Sequence, residues 1–250
     1  MSTRQALYKP MTTRDQQEAK VPDLMKARRL NQVRLFDLAS RVVPSTFFLL
    51  IVTRNLVDLY RLLSSEVPLQ PGPWRVVANV MARSSTVCFL GLMSVLFLIR
   101  IEPIKKAEGI WPRVMALAGT FCLYLVTLFP RANLSIMQTM VASTISLVGT
   151  SLSIVALAHL GRSFSLMAEA RRLVTTGPYA IVRHPLYLFE TVASVGVVLQ
   201  FLSFYTVLIF FAYALIQLQR IKNEEAILER AFPEYQAYKS STARLIPKLY

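Results

Sequence analysis

The sequence predicts an all-α integral membrane protein, a polytopic bundle of about six transmembrane helices. The chain has 250 residues, of which 54% are hydrophobic and 17% charged, and its mean hydropathy is +0.45. Soluble domains carry about a quarter charged residues. Several apolar runs approach or exceed the roughly 18 residues that a membrane-spanning helix needs. The basic residues lie mainly between these runs.

The excess of basic residues has two candidate explanations, and their position favours one. The chain carries 28 Lys and Arg against 14 Asp and Glu, a formal net charge of +14. Nucleic-acid-binding proteins share such a balance, but basic loops between apolar runs are typical of the cytosolic side of a membrane protein. Cys88 and Cys122 both lie inside apolar runs, and the chain has only two histidines. We therefore expect membrane lipids as partners, no nucleic acid and no metal site.

The chain divides into three parts by composition. Residues 1–42 are a basic arm, which is either an amphipathic helix on the membrane surface or a solvated arm that only sets topology. Residues 43–160 hold the N-terminal transmembrane helices, and residues 161–250 carry the polar motifs. The predicted spans are 43–63, 76–99, 114–129 and 134–160, followed by an apolar run, 186–220, that suits two helices turning near 200–203.

The loops alternate in charge, which predicts the topology. The arm, the segments 100–113 and 161–185, and the tail after Arg220 are basic, and the intervening connections are poorer in charge. By the positive-inside rule both termini are cytosolic. The membrane would be the inner or plasma membrane in a bacterium and the endoplasmic reticulum in a eukaryote.

Charged residues within the first two predicted spans need partners, because an ionised side chain is costly in lipid. Asp58 is predicted to be neutralised by Arg54, by Arg83 or by both. Arg54 is four residues away on the same helix face, and Arg83 lies at a similar depth if the two spans are antiparallel.

A motif between two long apolar runs, 177–187, reads Gly-Pro-Tyr-Ala-Ile-Val-Arg-His-Pro-Leu-Tyr, with Glu190 after it. Pro185 has no backbone N–H and disfavours helical geometry at His184. We therefore expect Arg183 and His184 in an ordered, non-helical segment before a helix that begins at about Leu186. A permanent cation and an imidazole at the edge of a membrane bundle suit a polar, charged cofactor.

Residues 219–232 predict a helix that leaves the membrane on the side where the Arg-His-Pro motif lies. Ile221, Leu228 and Phe232 form an apolar stripe, and Glu225 falls on it, so that this carboxylate requires a partner. Glu224, beside it, is four residues from Arg220. The alternative interpretation is an exposed pair of these two residues and a Glu225 that reaches solvent.

Together these motifs resemble a known family. The order Gly-Pro-Tyr-(x)3-Arg-His-Pro-x-Tyr, two apolar helices, Arg-(x)3-Glu-Glu-(x)2-Leu-(x)3-Phe-x-Glu-Tyr-(x)2-Tyr and Leu-Ile-Pro resembles the isoprenylcysteine carboxyl methyltransferase (ICMT) family. The related phospholipid N-methyltransferases share the general pattern. The resemblance covers residues 161–247, and the rest of the chain matches only in being membrane spans.

The resemblance implies a cofactor, S-adenosyl-L-methionine, bound at the cytosolic membrane face between the Arg-His-Pro-Tyr segment and the C-terminal helix. It implies a methyltransferase core in residues 161–250 and catalytic roles for Arg183 and Glu225. A carboxylate suits the amine of the cofactor, tyrosine rings suit its adenine or sulfonium, and a guanidinium suits an anionic acceptor or the cofactor carboxylate. The implied cofactor-binding residues are Gly177, Tyr179, His184, Tyr187, Glu224 and Glu225.

The sequence does not identify the methyl acceptor. A lipophilic or small-molecule carboxylate, amine or thiol would fit, and it would enter from the lipid. An NADPH-dependent reductase of the sterol type is the alternative enzyme, and a transporter or scaffold is the non-catalytic alternative, to which the charges in the first two spans also fit.

Overall fold

The computed structural model describes the backbone of residues 13–64 and 73–247, and the side chains of most of them from Leu35 onward. The chain divides into two units, residues 1–43 and 44–250. In the first unit the described residues are helical, and the side chains that would distinguish a surface-bound helix from a solvated arm lie outside the described residues. The division into three parts is not tested by the structure and stays a prediction.

The fold is almost entirely helical, as predicted. Two short strands, β1 (Lys105–Lys106) and β2 (Glu169–Ala170), pair antiparallel. Short 3-10 segments cover Cys122–Leu128, Gly161–Ser163 and Gly177–Ala180. The α-helices are α1 (Thr13–Leu63), α2 (Pro73–Ile99), α3 (Trp111–Phe121), α4 (Ile136–Leu160), α5 (Pro185–Gln200), α6 (Phe204–Ala231) and α7 (Tyr235–Ser241).

Within the described residues, five helical segments are long and apolar enough to cross a membrane, which confirms a polytopic bundle. The remaining predicted span corresponds to α5, which has only 16 residues. At about 1.5 Å per residue it is shorter than the roughly 30 Å of a hydrocarbon core. The five segments are Leu38–Leu63, Val80–Ile99, Trp111–Leu128, Ile136–Ser163 and Phe204–Ala231.

The turn between α5 and α6 falls where the sequence predicts it, at residues 201–203. Ser203 caps α6 by accepting a hydrogen bond from the Thr206 backbone N–H at 3.2 Å, and Thr206 Oγ1 accepts one from the Ser203 N–H at 2.9 Å. This reciprocal cap begins α6, so the turn of the hairpin forms without Gly or Pro. Beyond it, α6 is one continuous helix of 28 residues. The predicted second arm of the hairpin and the predicted cytosolic helix are thus a single element, because no helix-breaking residue separates them.

Helices α4 and α5 pack closely through small residues. A Cβ atom on Gly149 would collide with the backbone of Ala193, and one on Gly196 would collide with Ser146 Oγ and the Ala142 carbonyl oxygen. Such close approach is typical of helix pairs in lipid. It fixes the position of α5, whose first turn follows the Arg-His-Pro motif.

The segment after α2 is bonded to the segment after α4, which the sequence did not predict. The Ile101 N–H donates to the Arg162 carbonyl at 3.0 Å, and the Ile104 N–H donates to the Ala170 carbonyl at 2.7 Å. Lys105 Nζ donates to the Arg230 carbonyl oxygen at 2.6 Å. The loop therefore joins α2, the segment 162–170 and the end of α6.

Asp58 and Arg83 form the predicted ion pair. Arg83 Nη1 lies 3.1 Å from Asp58 Oδ2, and both side chains are about one-third exposed in the protein. The pair joins α1 to α2 within two segments that are apolar enough to span a membrane, where an ionised side chain needs such a partner.

The close contact at Gly196 gives a stability prediction. Gly196→Ala should lower the free energy of unfolding by about 1–3 kcal/mol, because the added methyl group overpacks the α4–α5 contact. The matched control is Gly91→Ala in α2, where nothing lies within 4 Å of the added Cβ, so this variant should be neutral or stabilising. Thermal unfolding in detergent measures both, and equal melting temperatures for the two variants would contradict the packing.

The ion pair gives a second prediction. Asp58→Arg and Arg83→Asp should each lower the apparent melting temperature, because each leaves two like charges together. The double exchange should recover at least half of the larger loss, which is the coupling that a double-mutant cycle measures. If the losses simply add, the two side chains do not interact in the membrane.

Candidate functional site

Gly177 begins the polar motif in a conformation that only glycine adopts readily. Its φ is +61°, and a Cβ atom there would collide with the imidazole ring of His159. The His159 Nδ1 lies 2.8 Å from the Val155 carbonyl oxygen, in the last turn of α4. The sequence did not predict this contact, because nothing in it relates the end of α4 to Gly177.

The Arg-His-Pro segment has the predicted form. His184 is the non-helical residue before α5, with φ −126° and ψ 58°, and Pro185 is the first residue of the helix. The backbone N–H groups of Arg183 and His184 donate to the carbonyl oxygens of Ala243 and Arg244, at 2.8 and 3.1 Å. The C-terminal tail therefore holds the motif through its main chain.

Glu225 is the central anion of the site. It lies in α6 and is 4% exposed. Arg183 Nε and Nη2 are 3.0 and 2.9 Å from Oε1, and His184 Nε2 is 3.3 Å from the same oxygen. Arg244 Nη2 is 2.9 Å from Oε2. The predicted buried carboxylate thus has two guanidinium partners and an imidazole, and the alternative of a solvent-reaching Glu225 is wrong.

Arg183 connects three parts of the chain. Besides Glu225, its Nη1 donates to the Lys239 carbonyl at 2.9 Å and to the Thr242 carbonyl. The side chain of Arg183 is 7% exposed. Most of its N–H donors are therefore used within the protein, in a clamp that binds α6 and the tail to the Arg-His-Pro segment.

Glu224 has a different partner from its neighbour. The hydroxyl of Tyr187 donates to Glu224 Oε2 at 2.9 Å. The guanidinium of Arg220 lies over the Tyr187 ring, 5.1 Å from its centroid, an attractive cation–π arrangement. Arg220 is 8% exposed, so the alternative of an exposed Arg220–Glu224 pair is also wrong.

A polar network extends from Arg220 into the apolar part of the bundle. Arg220 Nη1 donates to Gln217 Oε1 at 2.8 Å, and Gln217 Nε2 donates to the Tyr213 hydroxyl at 2.9 Å. Gln217 Nε2 also lies 3.4 Å from Glu190 Oε2. The sequence placed Glu190 beside the motif. It did not predict that Gln217 and Tyr213 belong to the site, because their only distinguishing feature is that they are polar residues on an apolar helix.

Tyr179 faces the acidic side of the site. It is 6% exposed. Burial, reinforced by the charges of Glu224 and Glu190, raises the pKa of Tyr179 well above its ordinary value, so the phenol stays neutral. The Tyr238 hydroxyl donates to the Tyr179 carbonyl at 2.5 Å, which fixes the backbone of the Gly-Pro-Tyr turn against α7.

A narrow cavity adjoins Glu224. It is lined by α3, α5, α6 and the segment before β2, including Tyr187, Arg220, Asn223 and Glu224. Asn223 Nδ2 is buried and has no hydrogen-bond partner within the described residues. The cavity has a volume of about 10 Å³, room for about one water molecule, so the unpaired donor marks a place for a small polar group beside Glu224 and Arg220.

The structure brings the predicted site residues to one place. His184 and the proposed catalytic residue Arg183 meet Glu225, and Tyr187 meets Glu224. Gly177 and Tyr179 form the turn that precedes them. Their roles toward a ligand stay predictions. Arg244 was missed, because its distance along the chain from Glu225 follows no periodic pattern. Among the residues that the structure describes, no group of three or more His, Cys, Asp or Glu could hold a metal ion.

The Glu225 cluster gives a prediction for the tail. Glu225→Gln keeps the size of the side chain but removes the charge that holds Arg183 and Arg244, so cleavage by trypsin at Lys239 and Arg244 should become at least several-fold faster. The control is Glu229→Gln, which removes a more exposed partner of Lys239 and should change the rate little, since exposed ion pairs contribute little. Equal cleavage rates for Glu225→Gln and the wild type would contradict the clamp.

A known protein family matches the part of the chain that forms this site. Residues 141–230 match the sequence model of the isoprenylcysteine carboxyl methyltransferase (ICMT) family. The match begins within α4, before the predicted start at residue 161, and ends in the last turn of α6, before the predicted end at residue 247. It includes both elements that supply Arg183, His184, Glu224 and Glu225.

Two curated proteins are similar to part of the chain. The nickel-cobalt-cadmium resistance protein NccN of Alcaligenes xylosoxydans xylosoxydans is 35% identical over 83 residues, 32% of this chain and 38% of that protein. The cobalt-zinc-cadmium resistance protein CzcN of Cupriavidus metallidurans is 35% identical over 101 residues, 38% of this chain and 46% of that protein. The chain thus spans less than half the length of either relative. The resemblance indicated by the Arg-His-Pro and Glu-Glu motifs is confirmed, and residues 141–230 are an ICMT-like segment within a polytopic membrane protein.

Proposed function

We propose that this protein is an integral membrane methyltransferase that uses S-adenosyl-L-methionine and acts on a lipophilic acceptor at the cytosolic membrane face. The observation that carries the proposal is the meeting of the Arg183–His184 segment with Glu224 and Glu225 of α6, within the part of the chain that is similar to the ICMT family. The basic loops support the cytosolic orientation.

The residues around Glu224 fit the cofactor. Among the described residues Glu224 accepts a hydrogen bond from one group, the Tyr187 hydroxyl, so its carboxylate has capacity for the cofactor amine. Asn223 offers an unpaired N–H in the adjoining cavity. The rings of Tyr179 and Tyr187 present aromatic surface, which suits adenine or a sulfonium. Gly177 allows the backbone to approach a ligand closely.

When bound, the cofactor supplies an electrophilic methyl group on a sulfonium, which becomes a neutral thioether after transfer. The protein must place the acceptor atom in line with the carbon–sulfur bond and exclude water. A carboxylate or thiolate acceptor needs no base. An amine acceptor must lose a proton, and His184 and Glu224 are the candidate bases. Glu225 would act with Arg183 in positioning these groups.

A lipophilic acceptor is supported by the surface of α6. Leu208, Phe211 and Leu215 are 58–68% exposed on this helix, which continues without interruption to Glu224. Such side chains face lipid in a membrane helix. An acceptor with an apolar tail can therefore approach along α6 and present its polar end at the site.

A contribution to divalent-metal tolerance is a second candidate function, and the names of both similar proteins favour it. We propose that such a contribution would depend on methyl transfer. Cells expressing the wild-type chain should then tolerate cadmium better than cells expressing Glu224→Gln at equal protein levels. Equal tolerance in the two strains would contradict this candidate and leave the methyltransferase proposal to its own test.

The main proposal is tested by ligand binding to the purified full chain. Calorimetry should detect S-adenosylmethionine binding, weakened at least tenfold by His184→Ala, which removes the imidazole, and by Glu224→Gln, which removes the negative charge facing the cofactor amine. Arg172→Ala, at an exposed neighbouring position, is the control and should bind as the wild type does. A folded wild type that fails to bind at millimolar cofactor would overturn the proposal, and binding of NADPH instead would favour the reductase.

A further inference from the structure

Arg220 is a buried cation whose hydrogen bonds within the described residues all go to neutral groups. It lies in α6, with 8% of its surface exposed. Its Nη1 donates to Gln217 Oε1 at 2.8 Å, and its Nη2 donates to the Leu166 carbonyl oxygen at 3.3 Å. A guanidinium has five N–H donors, and a buried charge requires compensation by opposite charge. Arg220 therefore has both donors and charge to offer to an anionic group.

Two acids of the chain compensate Arg220 only indirectly. Gln217 Nε2 is 3.4 Å from Glu190 Oε2, so the amide of Gln217 stands between the guanidinium and this carboxylate. Glu224 lines the same cavity as Arg220, but its hydrogen bond within the described residues comes from the Tyr187 hydroxyl. The cation and the acids thus each retain capacity for a further partner.

Asn223 adds a second donor at this cavity. Its Oδ1 accepts a hydrogen bond from Gln219 Nε2 at 3.0 Å, whereas its buried Nδ2 has no partner in the part of the chain that the structure describes. Arg220, Asn223 and Glu224 are three and four residues apart, which places them on one face of α6. All three line the cavity, which therefore presents two donors beside one carboxylate.

An α-amino acid carries the groups that complement this arrangement. It holds a carboxylate, which accepts from a guanidinium and an amide, and an ammonium, which donates to a carboxylate. The cavity volume of about 10 Å³ admits one carboxylate oxygen rather than a whole ligand. Asn223 and Glu224 are partly exposed, so a ligand that lies mainly outside the cavity can insert its end.

We propose that Arg220 and Asn223 bind the α-carboxylate of the cofactor while Glu224 binds its α-ammonium, so that this cavity recognises the amino-acid end of S-adenosylmethionine. The inference rests on the proposed function, because it concerns the same cofactor. The charges agree with it. Arg220 stands with two acids, Glu190 and Glu224, and the cofactor brings one net positive charge from its ammonium, sulfonium and carboxylate.

A ligand that lacks only the carboxylate tests the proposal in the purified full chain. Decarboxylated S-adenosylmethionine keeps the amine, the sulfonium and the adenine. Calorimetry measures the Kd of both ligands for the wild type, Arg220→Gln and Asn223→Ala. The matched control is Gln219→Ala, which breaks the same Gln219–Asn223 hydrogen bond and keeps the Nδ2 donor.

The expected effects are confined to the ligand that has the carboxylate. The wild type should bind S-adenosylmethionine about tenfold or more tightly than the decarboxylated ligand. Arg220→Gln should remove most of this preference by weakening S-adenosylmethionine alone. Asn223→Ala should weaken S-adenosylmethionine about three- to tenfold, the effect of one hydrogen bond. Gln219→Ala should keep the wild-type preference.

Two results would overturn the inference and leave the proposed function standing. If the wild type binds both ligands equally well, the cavity does not recognise a carboxylate. If Arg220→Gln and Asn223→Ala weaken both ligands by the same factor, these residues only support the fold. A folded wild type that binds neither ligand would instead refute the proposed function, and this inference with it. That outcome is distinct, because it is seen before any variant is compared.

Discussion

The organisation of the site depends on the burial of one carboxylate, Glu225. A charge removed from water must be compensated by opposite charge and hydrogen bonds, or it destabilises the fold by several kcal/mol. The compensation here comes from the Arg-His-Pro segment and from the tail, through Arg183, His184 and Arg244. The Arg-His-Pro segment and the tail are therefore both held to α6 by one of its side chains.

The two adjacent glutamates serve different neighbours because consecutive helical residues are about 100° apart around the axis. Glu225 points to the clamp, and Glu224 points to Tyr187 and the cavity. Glu225 is saturated by protein groups, whereas Glu224 retains capacity for a ligand. Under the proposed function, the motif combines a structural anion with one that is available to a ligand, so the same substitution should have different consequences at the two positions.

The sequence predicted those features that depend on local chemistry. Apolar run lengths predicted the five long spans but not that α5 is too short to be a sixth. Pro185 predicted the non-helical His184, and the apolar stripe around Glu225 predicted that its carboxylate is buried and paired. Contacts between distant loops could not be predicted in this way. The pairing of β1 with β2, the approach of His159 to Gly177, and Arg244 as a partner of Glu225 follow from tertiary packing, which leaves no periodic pattern in one sequence.

The use of Arg183 within the protein bears on the choice of acceptor. The sequence suggested that its guanidinium could hold an acceptor carboxylate. In the structure its Nε, Nη1 and Nη2 all bond to Glu225 or to tail carbonyls, which leaves one N–H of Nη2 for other partners. Under the proposed function, an acceptor carboxylate bound through both oxygens needs two N–H groups, so it would compete with Glu225 for Arg183 and loosen the tail. An amine or thiol acceptor would leave the clamp intact, so within that proposal the clamp favours acceptors of those two classes.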